Sequence, residues 1–319
     1  MITGELLLVV DLRQRQAAPE PARSLQEQTL ARIAELACPS VAIGPATGGG
    51  FAAALAATVD VRLAGEEEFA PLLETLASNP IASLALAQLL RSSESRSIHE
   101  GLIAESLVYS TLQSGPEFAA WLAGRSAGAK RESLAPAVLL DRDGPRLTLT
   151  LNRPEKHNAF SKAIRDGLVE GLRVILADDS IREVALRGAG KSFCSGGDLD
   201  EFGSFPDPAT AHAIRSTRNP ARLLSLCGDR VRVQVHGACI GAGTELPAFT
   251  SHVVADPKTF FALPEVRMGL VPGAGGTVSL PRRIGRQRAA WLSLTCERIS
   301  AETASDWGLI DEIAASTGV

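Results

Sequence analysis

The sequence has no excess of basic charge, no paired cysteines, no metal-ligand spacing and no long apolar run, and each absence removes a class of function. With 32 Lys and Arg against 36 Asp and Glu, the formal net charge is −4. No basic stripe is available to neutralise a phosphate backbone, so nucleic acid is not an expected partner. The five cysteines, Cys38, Cys194, Cys227, Cys239 and Cys296, are odd in number and scattered, with no C-x-x-C pair and no ligand spacing to the five histidines. They read as reduced thiols of a cytoplasmic protein, and no metal centre is expected. No apolar stretch reaches the roughly 18 residues that a membrane-spanning helix needs. The run Glu5 to Val10 has no basic start and is too short and too β-branched for a signal peptide, so it is expected to be a buried strand of a soluble protein.

What remains is ordinary globular composition. The chain has 319 residues, 45% hydrophobic and 21% charged, enough for one large domain or two smaller ones. Two stretches read as boundaries: Arg15 to Arg23, rich in Ala and Pro, and Arg125 to Ala137, where Gly, Ser and Lys replace periodic apolar residues. Beyond the second, Ala137 to Asn152 reads as a hairpin turning at Asp141 to Gly144 into the alternating strand Arg146-Leu-Thr-Leu-Thr-Leu151. Ser161 is placed to cap a helix in which Ile164, Leu168, Leu172 and Ile175 recur at helical spacing. Strands follow at Glu183 to Arg187 and Arg230 to Val235, then an apolar helix from about Gly243 to Thr250, then Val253-Val254. The result is an α/β chain of repeated strand, strand, helix units. Ser40 to Leu63, set beside Val233 to Ala255, gives a weak internal repeat; Ile81 to Arg91 and Gly101 to Arg125 carry helical patterns.

Three segments of the second half are suited to chemistry. Lys191 to Leu199 contains Ser195-Gly-Gly197, a strand end opening through glycines, where the Gly197 amide can face a ligand oxygen. His236 to Glu245 runs through glycines into a helix start, where the Ala242 amide is an orphan donor. Two such donors converging form an oxyanion hole. Ala262-Leu-Pro-Glu265, with the glycine-rich stretch to Thr277 behind it, adds a carboxylate to that of Glu245. Cys194 and Cys239 read as small buried hydrophobes, since no cationic neighbour is evident. His157 and His236 read as structural, and Asp198 as a cap or turn residue.

Six segments stand in one order: Leu151 to Ala159, Phe193 to Asp198, Gly237 to Glu245, Pro264-Glu265, Gly269 to Thr277, and Arg298 to Glu302 with Gly308-Leu-Ile310. Together they resemble the enoyl-CoA hydratase/isomerase, or crotonase, family over roughly residues 137 to 315. The resemblance implies a crotonase-like (ββα) spiral with an associated helical segment, and a CoA thioester whose carbonyl oxygen is held by the amides matching Gly197 and Ala242. Glu245 and Glu265 match the two glutamates of the hydrating members. That match assigns water activation to Glu245 and proton delivery at C2 to Glu265. Arg153 and Lys156 lie in the segment that borders the adenine end of CoA in relatives, and Ser195 is a third candidate contact. No cofactor is implied beyond CoA as part of the substrate, and a homo-oligomer is expected.

Relatives usually continue past the position of Ile310 with helices that cover the acyl pocket. Here Gly101 to Ser110 and Phe118 to Leu122 look like that tail, placed ahead of the core. The expected architecture is therefore a rearrangement resembling a circular permutation. Residues 1 to 130 would form a degenerate partial copy with tail-like helices, and 137 to 319 the core carrying the active site. In the first copy Ala52 stands where Glu245 would, so that half is expected to be catalytically silent, although Arg125 could reach a CoA phosphate. Three functions remain open: a hydratase; an isomerase, thioesterase or hydrolase of acyl-CoA using the same oxyanion hole; and a non-catalytic CoA-binding subunit.

Overall fold

A computed structural model describes residues 4–13, 21–45, 50–125, 134–204 and 207–314. The first half contains strands β1 (Leu8–Asp11), β2 (Ser40–Ile43) and β3 (Val61–Leu63). Its helices are α1 (Arg23–Ala34), α2 (Phe51–Thr58), α3 (Phe69–Ser78), α4 (Pro80–Arg91), α5 (Ile98–Gln113) and α6 (Pro116–Ala123). The second half opens with β4 (Val138–Asp143), β5 (Arg146–Leu151), α7 (Lys162–Ala177) and β6 (Glu183–Gly188). Then come α8 (Pro208–Thr217), α9 (Pro220–Cys227), β7 (Val231–Val235), β8 (Ala238–Ile240), α10 (Ala242–Glu245) and β9 (His252–Ala255). It closes with β10 (Phe260–Ala262), α11 (Gly276–Ile284), α12 (Arg286–Thr295), β11 (Ile299–Ser300), α13 (Ala301–Trp307) and β12 (Glu312–Ile313). Among the described residues no helix is long and apolar enough to cross a membrane.

Alternation explains the main sheet. In β5 the three leucines 147, 149 and 151 are buried while the threonines between them are half-buried. One face of the sheet thereby covers α7, whose Ile164, Leu168, Leu172 and Ile175 form the matching stripe. Ser161 caps α7 by accepting from the Ile164 amide. The six strands run in the order β12-β9-β7-β6-β5-β4, all neighbours parallel except the β4–β5 hairpin. A second sheet, in the order β11-β10-β8, carries two of the site segments at the ends of β8 and β10. The expected helix from Gly243 to Thr250 is shorter: α10 stops at Glu245, and Pro247, which lacks an amide hydrogen, starts a 3-10 turn instead.

The first half forms its own parallel sheet, β1-β2-β3. β2, α2 and β3 repeat the parallel strand, helix, strand path of β7, α10 and β9, the second of which carries the extra strand β8 between. The hydrophobic core crosses the boundary between the halves. Val41, Ile43, Val61, Leu72 and Leu86 pack in one cluster with Val266, Leu270, Val271, Ala290 and Leu294.

A buried acid fastens this junction. Asp60 accepts from the Ser40 amide and hydroxyl and from the Arg91 guanidinium on α4, and pairs with Arg286 of α12 at 3.3 Å. Arg286 and Gln287 in turn donate to the carbonyls of residues 56 to 59 at the end of α2, which have no intrahelical partners. Removing one partner of a buried ion pair strands the others without compensation. Asp60→Ala is therefore expected to cost about 3–5 kcal/mol of stability in chemical denaturation; a loss under 1 kcal/mol would contradict this account of the junction.

Candidate active site

Two glycine loops approach each other at the ends of neighbouring strands. The backbones of Cys194 and Cys239 pair in an isolated parallel β-bridge, and the Ile240 amide donates to the Cys194 carbonyl at 3.0 Å. This brings the loop Gly196-Gly197 against Ile240 and Gly241. Gly241 has φ +51, and a Cβ there would fall well inside van der Waals contact distance of Glu265 Oε1, so the position favours glycine both for conformation and for space. Among the described residues, the amides of Gly197 and Ala242 donate to no backbone or side-chain acceptor. Both border a cavity of about 150 Å³ that also meets Glu245, Glu265, Phe160 and Phe202. A larger cavity of about 620 Å³ lies beside Gly44, Arg62, Trp291 and Trp307, but its carboxylate, Glu68, is occupied by the Ala64 amide. The smaller cavity is where the chemical groups converge.

The amino end of α11 organises those groups. Glu245 Oε2 accepts from the amides of Ala274 (2.8 Å) and Gly276 (2.7 Å). Glu105, from α5, accepts from those of Gly275 (2.7 Å) and Thr277 (2.9 Å), and from the Thr277 hydroxyl. Four successive amides thus alternate between two carboxylates, which satisfies donors that no helix carbonyl can reach and sets negative charge at the positive end of the helix dipole. Tyr109, one turn beyond Glu105, lies so close to Gly273 that a Cβ there would sit 2.5 Å from its ring. Glu265 is held differently: it opens the 3-10 turn Glu265–Met268, which packs against α6, and its buried Oε2 has no hydrogen-bond partner.

Burial raises all three carboxyls. Glu265 is pushed up to about 8, by burial first and then by the charge of Glu105. Glu105 is pushed up to about 7 by burial, opposed by its bonds from Thr277 and Gly275. Glu245 rises well above the usual carboxylate range through burial, then through the charges of Glu265 and Glu105, while the Ala274 and Gly276 amides pull it back. Three neighbouring carboxylates cannot all ionise at neutral pH. Burial and neighbouring charge raise Glu245 strongly, but two amides hold its charged form, whereas no donor reaches Oε2 of Glu265. Once Glu265 is neutral, the largest opposing charge on Glu245 is gone.

The remaining expected contacts are more structural. Lys156 forms ion pairs with Asp198 (2.9 Å) and Asp200 (3.0 Å) at the edge of the cavity. Asp198 also accepts from the Asp200 amide, as a turn cap. Arg153 donates from Nη1 and Nη2 to the carbonyls of Ala135, Pro136 and Asn152. Ser195 ties the loop to the preceding segment through the His157 and Lys156 carbonyls. His157 and His236 meet Ser192 and the Gly190 carbonyl. Cys194 and Cys239 are fully buried thiols raised by desolvation. Arg125 lies over the Trp121 ring at 5.0 Å.

Sequence reasoning missed Glu105, Tyr109 and Arg215, all on the cavity wall or directly behind it. A silent first half leaves Glu105 out of account. The available sign was its register: Leu102, Glu105 and Leu112 fall on one helical stripe, and an acid among buried leucines needs partners.

Comparison with known proteins identifies the family. The family model described as enoyl-CoA hydratase/isomerase matches residues 147–319, and the chain belongs to that family, within the crotonase superfamily. It is 38% identical over 171 residues to 1,2-epoxyphenylacetyl-CoA isomerase of Escherichia coli K12, covering 52% of this chain and 65% of that protein. It is 35% identical to 2,3-dehydroadipyl-CoA hydratase of the same organism, covering 55% of this chain and 68% of the relative. The solved enoyl-CoA hydratase of Mycobacterium smegmatis superimposes with a TM-score of 0.52 at 34% identity, over 57% of this chain and 71% of that one. The chain thus spans about two thirds of the length of the curated relatives it matches.

Replacing Glu105 by Ala leaves two buried amides and a hydroxyl without acceptors, each an expensive omission. Glu105→Ala is expected to lower stability by about 3 kcal/mol, read from urea denaturation, whereas a change within 0.5 kcal/mol would mean that this cap is dispensable.

Proposed function

We propose that this chain adds water across the C2=C3 bond of an enoyl-CoA thioester. The observation that carries the reading is that two buried carboxyls, Glu245 and Glu265, border one cavity together with the two unclaimed amides of Gly197 and Ala242. The thioester oxygen accepts from the two amides, which draws electrons out of the double bond. Glu245, as carboxylate, removes a proton from water as the water oxygen bonds to C3. The π pair moves to C2 and the thioester oxygen as an enolate, whose charge fixed amide donors stabilise without reorganisation. Glu265, protonated, delivers its proton to C2, and the proton held by Glu245 then returns to Glu265 through solvent. The overall balance is one water added, with no oxidant, metal or organic cofactor required.

In the same reading Lys156 attracts the CoA phosphates in competition with Asp198 and Asp200, and the protein works as a homo-oligomer. The buried, unpaired cysteines fit a reducing, cytoplasmic compartment. Residues 1 to 130 are a degenerate partial copy whose helices α5 and α6 serve the core as a C-terminal helical tail serves relatives.

Loss of the enoyl absorbance of crotonyl-CoA follows turnover directly. Wild type is expected to hydrate it, and Glu245→Gln and Glu265→Gln to lose about 100-fold or more in kcat, as removal of a general base or acid does. An isomerase using Glu265 alone would survive Glu245→Gln, and that outcome would replace the hydratase reading. The acid role also sets a pH limb: kcat/KM should fall as pH rises through about 8, where Glu265 loses its proton, and a rate still rising at higher pH would remove Glu265 from that role.

A further inference from the structure

The cavity wall opposite the glycine loops carries a guanidinium that the hydration scheme does not use. Arg215, on α8, borders the cavity with Tyr109 and Gln113 of α5. Its hydrogen bonds all run to neutral acceptors: Ser106 Oγ, the Ser106 carbonyl, Ser110 Oγ and Gln113 Oε1 at 3.2 Å. Its flat face lies over the Tyr109 ring at 4.6 Å. Among the described residues no carboxylate stands within ion-pair distance of it, whereas the neighbouring Arg165 pairs with Asp166 at 2.9 Å. Glu105 acts on it through space without forming an ion pair, and a partly buried cation that lacks a direct partner is costly unless the ligand supplies one. Four of its five N–H donors are spent on these acceptors, which fix the guanidinium plane before anything binds and leave one Nη1 hydrogen for a ligand.

We propose that Arg215, oriented by Gln113, Ser106 and Ser110, selects acyl groups that end in a carboxylate, so that the substrate class is a short dicarboxylic acyl-CoA. This rests on the reading of the cavity as an acyl-CoA site. The acyl carboxylate is chosen over a CoA phosphate because Arg215 shares the cavity with Glu245 and Glu265, where the reacting carbons belong, while the CoA end is assigned to the Lys156 side. The cavity of about 150 Å³ accommodates a short chain.

Calorimetric binding of glutaryl-CoA, valeryl-CoA and free CoA tests the proposal without any need for turnover, since none of these carries a double bond to hydrate. Wild type should bind glutaryl-CoA about ten-fold more tightly than valeryl-CoA, the scale of a partly desolvated charge-assisted pair. Gln113→Glu, nearly isosteric, gives Arg215 an internal carboxylate and should abolish the preference. Arg215→Gln should do the same, with free CoA bound as in wild type. Equal affinities in wild type, or a preference that survives both variants, would overturn the assignment while leaving the acyl-CoA reading intact. A loss of free-CoA affinity equal to the loss for glutaryl-CoA in Arg215→Gln would overturn it in favour of a phosphate contact. Failure of every thioester to bind would overturn the acyl-CoA reading itself.

Discussion

The amino end of α11 is the point on which the site depends. Its four amides, Ala274 to Thr277, have no helix carbonyl to donate to, and three of the four belong to buried residues, so each needs another acceptor. Two carboxylates meet this demand in alternation, Glu245 from α10 and Glu105 from α5. The same bonds that complete the helix therefore fix the position of a reacting carboxyl. They also create the electrostatic problem from which the chemistry follows, because the acids are buried close together and with Glu265 cannot all be charged.

This constraint explains why the first half is not an appendage. Glu105 and Tyr109 brace the glycine loop, and α6 packs against the turn that opens with Glu265, so two of the three acid-bearing segments are supported by helices preceding the core in the chain. Asp60 and the shared hydrophobic cluster anchor those helices from behind. A hydrophobic core that crosses the junction makes the relative placement of the halves part of the fold itself, and the site inherits that rigidity.

Much of this was legible in the residues. The alternating leucines of β5, the Ser161 cap and the stripe of α7 follow from period and capping chemistry, and the glycine loops with Gly197 and Ala242 stand at the strand ends where they were expected. The crotonase fold followed from ordered motifs. Three things were hidden, each for a physical reason. The helix expected to run to Thr250 is cut short because Pro247 cannot extend it. Arg153 donates to three backbone carbonyls, a use that charge alone does not reveal. Glu105 and Arg215 acquire their meaning only across long chain separations, 170 residues from Glu105 to Gly275 and 102 from Arg215 to Gln113, which no local pattern encodes.

Hydrogen exchange at the backbone amides of Ala274, Gly275, Gly276 and Thr277, compared between wild type and Glu105→Ala, addresses the central claim most directly. If one shared clamp holds the helix end, all four amides are protected in wild type and all four lose protection together in the variant, including Ala274 and Gly276, which Glu105 does not touch. Loss confined to Gly275 and Thr277, with Ala274 and Gly276 still protected by Glu245, would contradict the account and make the two carboxylates independent caps.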